Sequence, residues 1–473
     1  MPFSAAYHPA RAHLTLGDAF YDPVEAARFP AHILRFRNQD AAARIGLDTL
    51  TDTEWVDHLG RFVPLPGGLP TPLALRYHGH QFRQYNPDLG DGRGFLFAQM
   101  RDARDGRLLD IGTKGSGRTP WSRGGDGRLT LKGGVREILA SEMLDAQGVS
   151  TSRTLSVIET GEALHRGDEP SPTRSCVLAR LSHSHIRVGT FQRLAALEDQ
   201  ASLARLVDYV MATYFPDRHG GGRAAVSLYD IVCTRVARLA AQWMGAGFVH
   251  GVLNTDNINI TGESFDYGPW RFLPRYDPAF IAAYFDRSGL YAFGRQPEAV
   301  LWTLARLAEC LIPLAEIEEL QKIFDDFPDR YEMEMNGVIV KRLGLSSLSR
   351  NDDRDLAKET WAFLERSGIG FENLFFDWYG GSQSGRRALD GPNARFYAGA
   401  EFEPLRQRID AYSPRADLDL SSPYFSRSAP CTLLIDAVER IWQPIADRDD
   451  WSMLDDTLAS IREMKAALSP AAR

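Results

Sequence analysis

Cysteine is scarce in this chain, and what is present is scattered. Cys176, Cys233, Cys310 and Cys431 are the four in 473 residues, with no C-x-x-C pair among them. That spacing argues against a disulfide-stapled scaffold or a structural zinc site and fits reduced, buried thiols in a cytoplasmic protein. No apolar run approaches the roughly 20 residues that span a bilayer, so no membrane association is expected. The opening MPFSAAYHPARAHLTL lacks the basic start and apolar block of a secretory signal. Positive charge is in deficit: 54 Lys and Arg against 62 Asp and Glu give a formal net charge of -8. This argues against nucleic-acid binding, although a basic cleft can hide beneath an acidic average. No internal repeat is visible. What remains, 44% hydrophobic and 25% charged residues, is ordinary for a globular protein with a core divided between two or more lobes.

Pro and Gly at 64–72 mark a loop. Then come Leu89-Gly-Asp-Gly-Arg-Gly94, a strand-like run over 95–100, a turn at 102–106 and a second strand-like run over 108–114 that ends in Lys114. A second glycine-rich segment fills 115–128, where glycine permits close approach to a ligand. Over 131–147, Leu131, Val135, Ile138 and Leu139 recur at helical spacing, with Gly148 as the stop. Strand-like runs over 153–159 and 175–181 flank a polar loop. From about 193 the pattern turns helical, over 197–215, 226–246, 297–323, 355–366, 432–446 and 452–467. Gly220–Gly222 and 380–395 are expected as surface loops. The class is α+β, strand-rich over 1–192 and helix-rich over 193–473.

The segment richest in chemistry is His250-Gly-Val-Leu-Asn-Thr-Asp-Asn257, followed by Asp266-Tyr-Gly268. Laid over the protein-kinase patterns H-R-D-L-x-x-x-N and D-F-G, it keeps His250, Leu253, Asn257 and Asp266. Val252 stands where a kinase has its catalytic Asp. Asn257 and Asp266 offer oxygen ligands suited to magnesium or manganese. Asp256 is the nearest loop carboxylate that could orient or deprotonate a hydroxyl; the alternative is a loop acceptor for backbone N–H groups. Gly90, Gly92 and Arg93 could supply backbone donors and charge to phosphates, though Gly-Asp-Gly is also a common hairpin turn. Lys114 sits where a kinase-like fold puts its phosphate-binding lysine, and Glu137 and Glu142 are both candidates to pair with it. Periodicity does not choose between them. Arg180 and Arg187 form a basic edge suited to phosphate; His183 and His185 between them are weak evidence for a metal.

These segments together resemble the selenoprotein O family, protein adenylyltransferases of pseudokinase fold. The resemblance is carried by Tyr77-His-Gly-His-Gln-Phe82, Leu89–Gly94, Lys114-Gly-Ser-Gly, Thr119-Pro-Trp-Ser-Arg, Gly125-Asp-Gly-Arg128, Arg136-Glu-Ile-Leu-Ala-Ser-Glu142, His185-Ile-Arg-Val-Gly189, His250–Asn257 and Asp266-Tyr-Gly-Pro269. It covers about residues 15 to 295, and the later third matches poorly.

The resemblance implies a protein-kinase-like bilobal fold, with a strand-rich N-lobe and N-terminal extension over 1–192 and a helical C-lobe over 193–473. It implies AMP transfer from ATP to Ser, Thr or Tyr hydroxyls of target proteins, with the nucleotide reversed relative to kinases and pyrophosphate leaving. Asp256 would be the proton acceptor, Asn257 and Asp266 the Mg2+ ligands, and Lys114 the phosphate contact paired with Glu137. Gly90, Gly92, Arg93, Asp126, Gly127, Arg180 and Arg187 would line the nucleotide pocket. A carboxylate with its ordinary pKa near 4 would suffice for Asp256. Many relatives carry a cysteine or selenocysteine in a short tail; this chain ends Leu468-Ser-Pro-Ala-Ala-Arg473, so redox control there is not expected. A cytoplasmic monomer is expected. The competing readings are a nucleotide-binding pseudokinase scaffold and a kinase with a relocated base.

Overall fold

A computed structural model describes residues 2–167, 169–218 and 223–469; Gly220–Gly222 and the last four residues of the tail lie outside them. The strand-rich part is a nine-stranded antiparallel sheet. Its principal strands are β1 (Tyr21–Pro23), β2 (Ile33–Arg37), β3 (Leu73–Leu75), β4 (Leu96–Arg101), β5 (Leu108–Lys114), β6 (Arg153–Leu164) and β7 (Thr173–Ser182), in the order β1-β3-β4-β5-β7-β6-β2. Two short strands, Pro9–Ala10 and Leu129–Thr130, join at β4 and β7.

Alternate residues go to opposite faces of a strand, and here both faces are covered. On β7, Cys176 and Leu178 join the core beneath helix α1 (Leu131–Ala146), while Val177, Ala179 and Leu181 pack with Trp55, Phe62 and Phe97. Every residue of β5 is consequently buried, Lys114 included. Parity sends Lys114 and Arg180 to the α1 face, toward the helical part. Helix α1 is capped by Thr130, whose side chain accepts from the Gly133 N–H, and Gly148 follows it at φ 78°.

Among the described residues nine longer helices dominate the rest: α2 (Val188–Ala196), α3 (Gln200–Tyr214), α4 (Ala224–Gly245), α5 (Gln296–Leu311), α6 (Ile317–Asp325), α7 (Phe327–Arg342), α8 (Arg350–Ser367), α9 (Ile435–Arg448) and α10 (Ser452–Leu468). The protein is mixed α and β. The helix expected over 297–323 is broken by a turn at Ile312–Leu314, where Pro313 removes a donor. The one expected over 197–215 begins later, because the Asp199 side chain caps it by accepting from the Ser202 N–H. Helix α7 was not expected: its polar sequence and Gly337 hide an apolar edge, Met335, Ile339 and Val340, that packs with Ala241 and Met244 of α4. Residues 380–395 are not a surface loop; they hold helix Gly385–Asp390 with Ala388 fully buried. Among the described residues no helix is long and apolar enough to cross a membrane.

Burial also sets a pH response. His13 lies between Tyr21 and Tyr209 with neither ring nitrogen hydrogen-bonded, and burial pushes its pKa down to about 4. His183 is pushed down by burial to about 3. In the unfolded chain both titrate near 6.5, so below that the unfolded state binds more protons and stability falls with pH. The penalty at about pH 5 is roughly 2 kcal/mol for each. His13→Leu is expected to flatten the decline of the melting midpoint between about pH 7.5 and pH 5.

Candidate functional site

The cleft between the sheet and the helices is a cavity of about 470 Å³. Two glycine turns make its roof. A Cβ on Gly90 would meet the Trp121 ring at 2.4 Å, and Gly127 holds φ 71° against Gly117. The turns are laced together by hydroxyl donors: Thr119 Oγ1 to Asp91 O and Ser122 Oγ to Gly92 O, both at 2.5 Å. Glycine at 90 thus allows one turn to pack on the other, as the hairpin-turn alternative has it, while also lining the cavity.

Below the roof, Lys114 Nζ donates to Glu137 Oε1 at 2.6 Å and to Asp266 Oδ1 at 2.7 Å. Glu142 points elsewhere, accepting from Asn38 at 2.9 Å and Arg153 at 2.6 Å. Arg180 Nη1 reaches Asp266 Oδ1 at 3.3 Å, and Arg187 Nη1 stands 3.8 Å from its Oδ2. Burial alone would raise the Asp266 pKa, but Lys114, Arg180 and Arg187 hold it well below the carboxylate range. His250 ties this segment to the preceding loop: its Nε2 meets Phe265 O at 3.1 Å.

The loop that carries Asp256 and Asn257 is a short turn, Thr255–Asn257, clamped from three directions. Thr255 Oγ1 donates to Gln192 Oε1 of α2 at 2.5 Å and accepts from His80 N at 2.7 Å. Asn254 Oδ1 accepts from Phe82 N and from the Tyr291 hydroxyl. Arg187 Nη1 donates to Asp256 O, and Asn257 Nδ2 to Val252 O. The Asp256 side chain is left with a buried Oδ1 that has no hydrogen-bond partner. Burial pushes its pKa up to about 6, against the pull of Arg187. This corrects the ordinary carboxylate expected above, because nothing in a linear motif reports desolvation.

All the expected pocket residues line the cavity except Glu137, which lies behind Lys114. Asp126 does so while paired with Arg166 at 2.8 Å. His183 and His185 are buried away from it; His183 N donates to Glu263 and His185 N to Asp110. Sequence reasoning missed Asp91, which accepts from Leu75 N at 3.1 Å and stands 3.4 Å from Arg187. It also missed Gln192 and Tyr291, which touch no motif in the linear chain; the Tyr77–Phe82 block was the only signal of the clamp.

Among the described residues no three His, Cys, Asp or Glu side chains gather as a metal site. An amide oxygen from Asn257 with a carboxylate from Asp266 is a different donor set. It is all oxygen, sits beside the unpartnered Asp256 Oδ1, and suits a hard divalent cation that completes its shell with phosphate and water.

The model of the family "Protein adenylyltransferase SelO" matches residues 3–462. The match therefore reaches well past the region of about 15 to 295 that the motifs cover. The protein nucleotidyltransferase YdiU of Synechococcus elongatus is 46% identical over 96% of this chain and 94% of its own. Proteins of the same name from Synechocystis sp. and Gloeobacter violaceus are 44% and 45% identical, over 98% and 97% of this chain and 99% and 95% of theirs.

Proposed function

The chain belongs to the SelO family of protein adenylyltransferases, and from this we propose that it transfers AMP from ATP to Ser, Thr or Tyr hydroxyls of target proteins. The fold we propose is protein-kinase-like and bilobal, divided near 192/193 with α2 spanning the division. A cytoplasmic monomer is part of the same reading. The observation that carries the reading is the exchange of functions on one loop. Val252 is inert where a kinase keeps its base, while Asp256 lines the cavity and has a buried carboxylate oxygen, Oδ1, without a hydrogen-bond partner.

ATP lies reversed, with its α-phosphorus toward Asp256. Lys114, Arg93, Arg180 and Arg187 hold the phosphates, and Glu137 fixes Lys114. The acceptor oxygen bonds to the α-phosphorus as the bond to the bridging oxygen breaks. That electron pair leaves with pyrophosphate, and the hydroxyl proton passes to Asp256. Mg2+ or Mn2+ held by Asn257 and Asp266 would supply charge neutralisation at the phosphates. Most of the catalysis is positioning and fixed electrostatics.

Intact-mass measurement after incubation with ATP and Mg2+ tests the reading: self-modification by one adenylyl group is expected, and one phosphoryl group would replace it with a kinase. Val252→Asp is expected to confer no transfer of the γ-phosphoryl group, because the phosphorus beside that position is not the terminal one.

A further inference from the structure

Resting on the adenylyltransferase reading, we infer that a basic groove beside the nucleotide cavity, built on Arg136 and Arg271 and edged by Tyr284 and Phe285, docks an acidic segment of the acceptor protein next to the hydroxyl to be modified.

The groove has a volume similar to that of the nucleotide cavity and shares part of its wall with it, including Arg93 and Arg128. At its floor two guanidinium groups converge on one backbone oxygen. Arg136 Nη2 donates to Trp270 O at 3.1 Å, and Arg271 Nη1 donates to the same oxygen at 2.9 Å. Arg136 also lies over the Trp270 ring, 4.7 Å from its centroid. Among the described residues neither arginine has an ion-pair partner, and Glu439, the carboxylate nearest in effect, is taken by Lys132 at 2.7 Å. Burial and the repulsion of Arg271 together push the Arg136 pKa down to about 10. Two half-buried like charges with no ion pair to either among the described residues are unfavourable, and although Glu169 and Glu439 also line the groove, an incoming anion relieves them.

The rim says which kind of anion. Tyr284 is 77% exposed and Phe285 46%, and Phe285 continues at 6.0 Å to Phe82, itself 37% exposed. Phe82 N donates to Asn254 of the loop that carries Asp256. An exposed aromatic band therefore runs from the groove to the loop that carries the proposed proton acceptor. Bare phosphate has no use for such a band, whereas a polypeptide buries side chains on it. Basic floor, apolar rim and continuity with the reacting centre fit an extended acidic peptide.

The test uses two synthetic peptides, each with one Ser, one Thr and one Tyr, differing only in Glu or Gln at the flanking positions. Binding is read by fluorescence anisotropy in the presence of a non-hydrolysable ATP analogue, and transfer by label from α-labelled ATP. The parent is expected to bind the Glu peptide at least about tenfold more tightly. Arg271→Gln and the Arg136→Gln/Arg271→Gln pair should lose that preference through KM, with analogue affinity and inhibition by pyrophosphate unchanged. Arg271→Glu should turn the preference toward a Lys-flanked peptide, which also guards against a variant that merely folds poorly. Equal binding of the two peptides by the parent, or no binding of either, overturns the inference, as does weaker pyrophosphate inhibition with peptide preference intact. A preference in binding without any AMP transfer would keep the groove and sink the adenylyltransferase reading; AMP transfer without preference would do the reverse.

Discussion

Asp266→Ala is expected to reduce AMP transfer by on the order of 10³-fold or more, equivalent to about 4 kcal/mol of transition-state stabilisation. Two losses combine in that number. One is the anionic ligand of the proposed cation site. The other is the counter-charge for Lys114 at 2.7 Å, Arg180 at 3.3 Å and Arg187 at 3.8 Å. Without it, three cations face one another across the cleft, and Lys114 keeps only Glu137. The triphosphate can itself answer those charges, so affinity for an ATP analogue should fall far less than turnover. Titration calorimetry with the analogue beside a transfer assay separates the two. Transfer within tenfold of the parent would contradict the assignment of Asp266.

The second large effect is at Asp256. Asp256→Asn keeps the shape of the side chain and removes its ability to take a proton, so transfer should fall by about 10²- to 10⁴-fold. Analogue affinity should hold, because Arg187 is bound to the main-chain oxygen of Asp256 and not to its carboxylate. The melting midpoint should rise, since a carboxylate with an unpartnered buried oxygen is replaced by a neutral amide. Greater stability with lost activity is the signature of a group kept for chemistry. A variant that loses activity and stability together would point to a structural role for Asp256.

What could be read in the sequence follows from how local each signal is. Asn257, Asp266 and Asp256 stand in short contiguous motifs and Lys114 at the end of an expected strand, and the cleft gathers all of them. The choice between Glu137 and Glu142 needed to know which neighbour covers each flank of α1. Asn38 and Arg153, remote in sequence, occupy Glu142. The clamp of Gln192, Thr255 and His80 joins residues from three separate segments, and no periodicity reports that. Helix α7 was hidden because its apolar edge is narrow, and packing on α4 makes up for weak local preference. The pKa of Asp256 was missed for a related reason: desolvation belongs to the folded cleft alone.

The proposed function turns on the direction in which ATP lies. A structure of the protein with a non-hydrolysable ATP analogue and Mg2+ tests it most directly. AMP transfer by the proposed route requires the α-phosphorus to stand beside the Asp256 carboxylate, with the β- and γ-phosphates running inward toward Lys114, Arg180 and Arg187. A γ-phosphorus facing Asp256, with the α-phosphate deepest in the cleft, would contradict it.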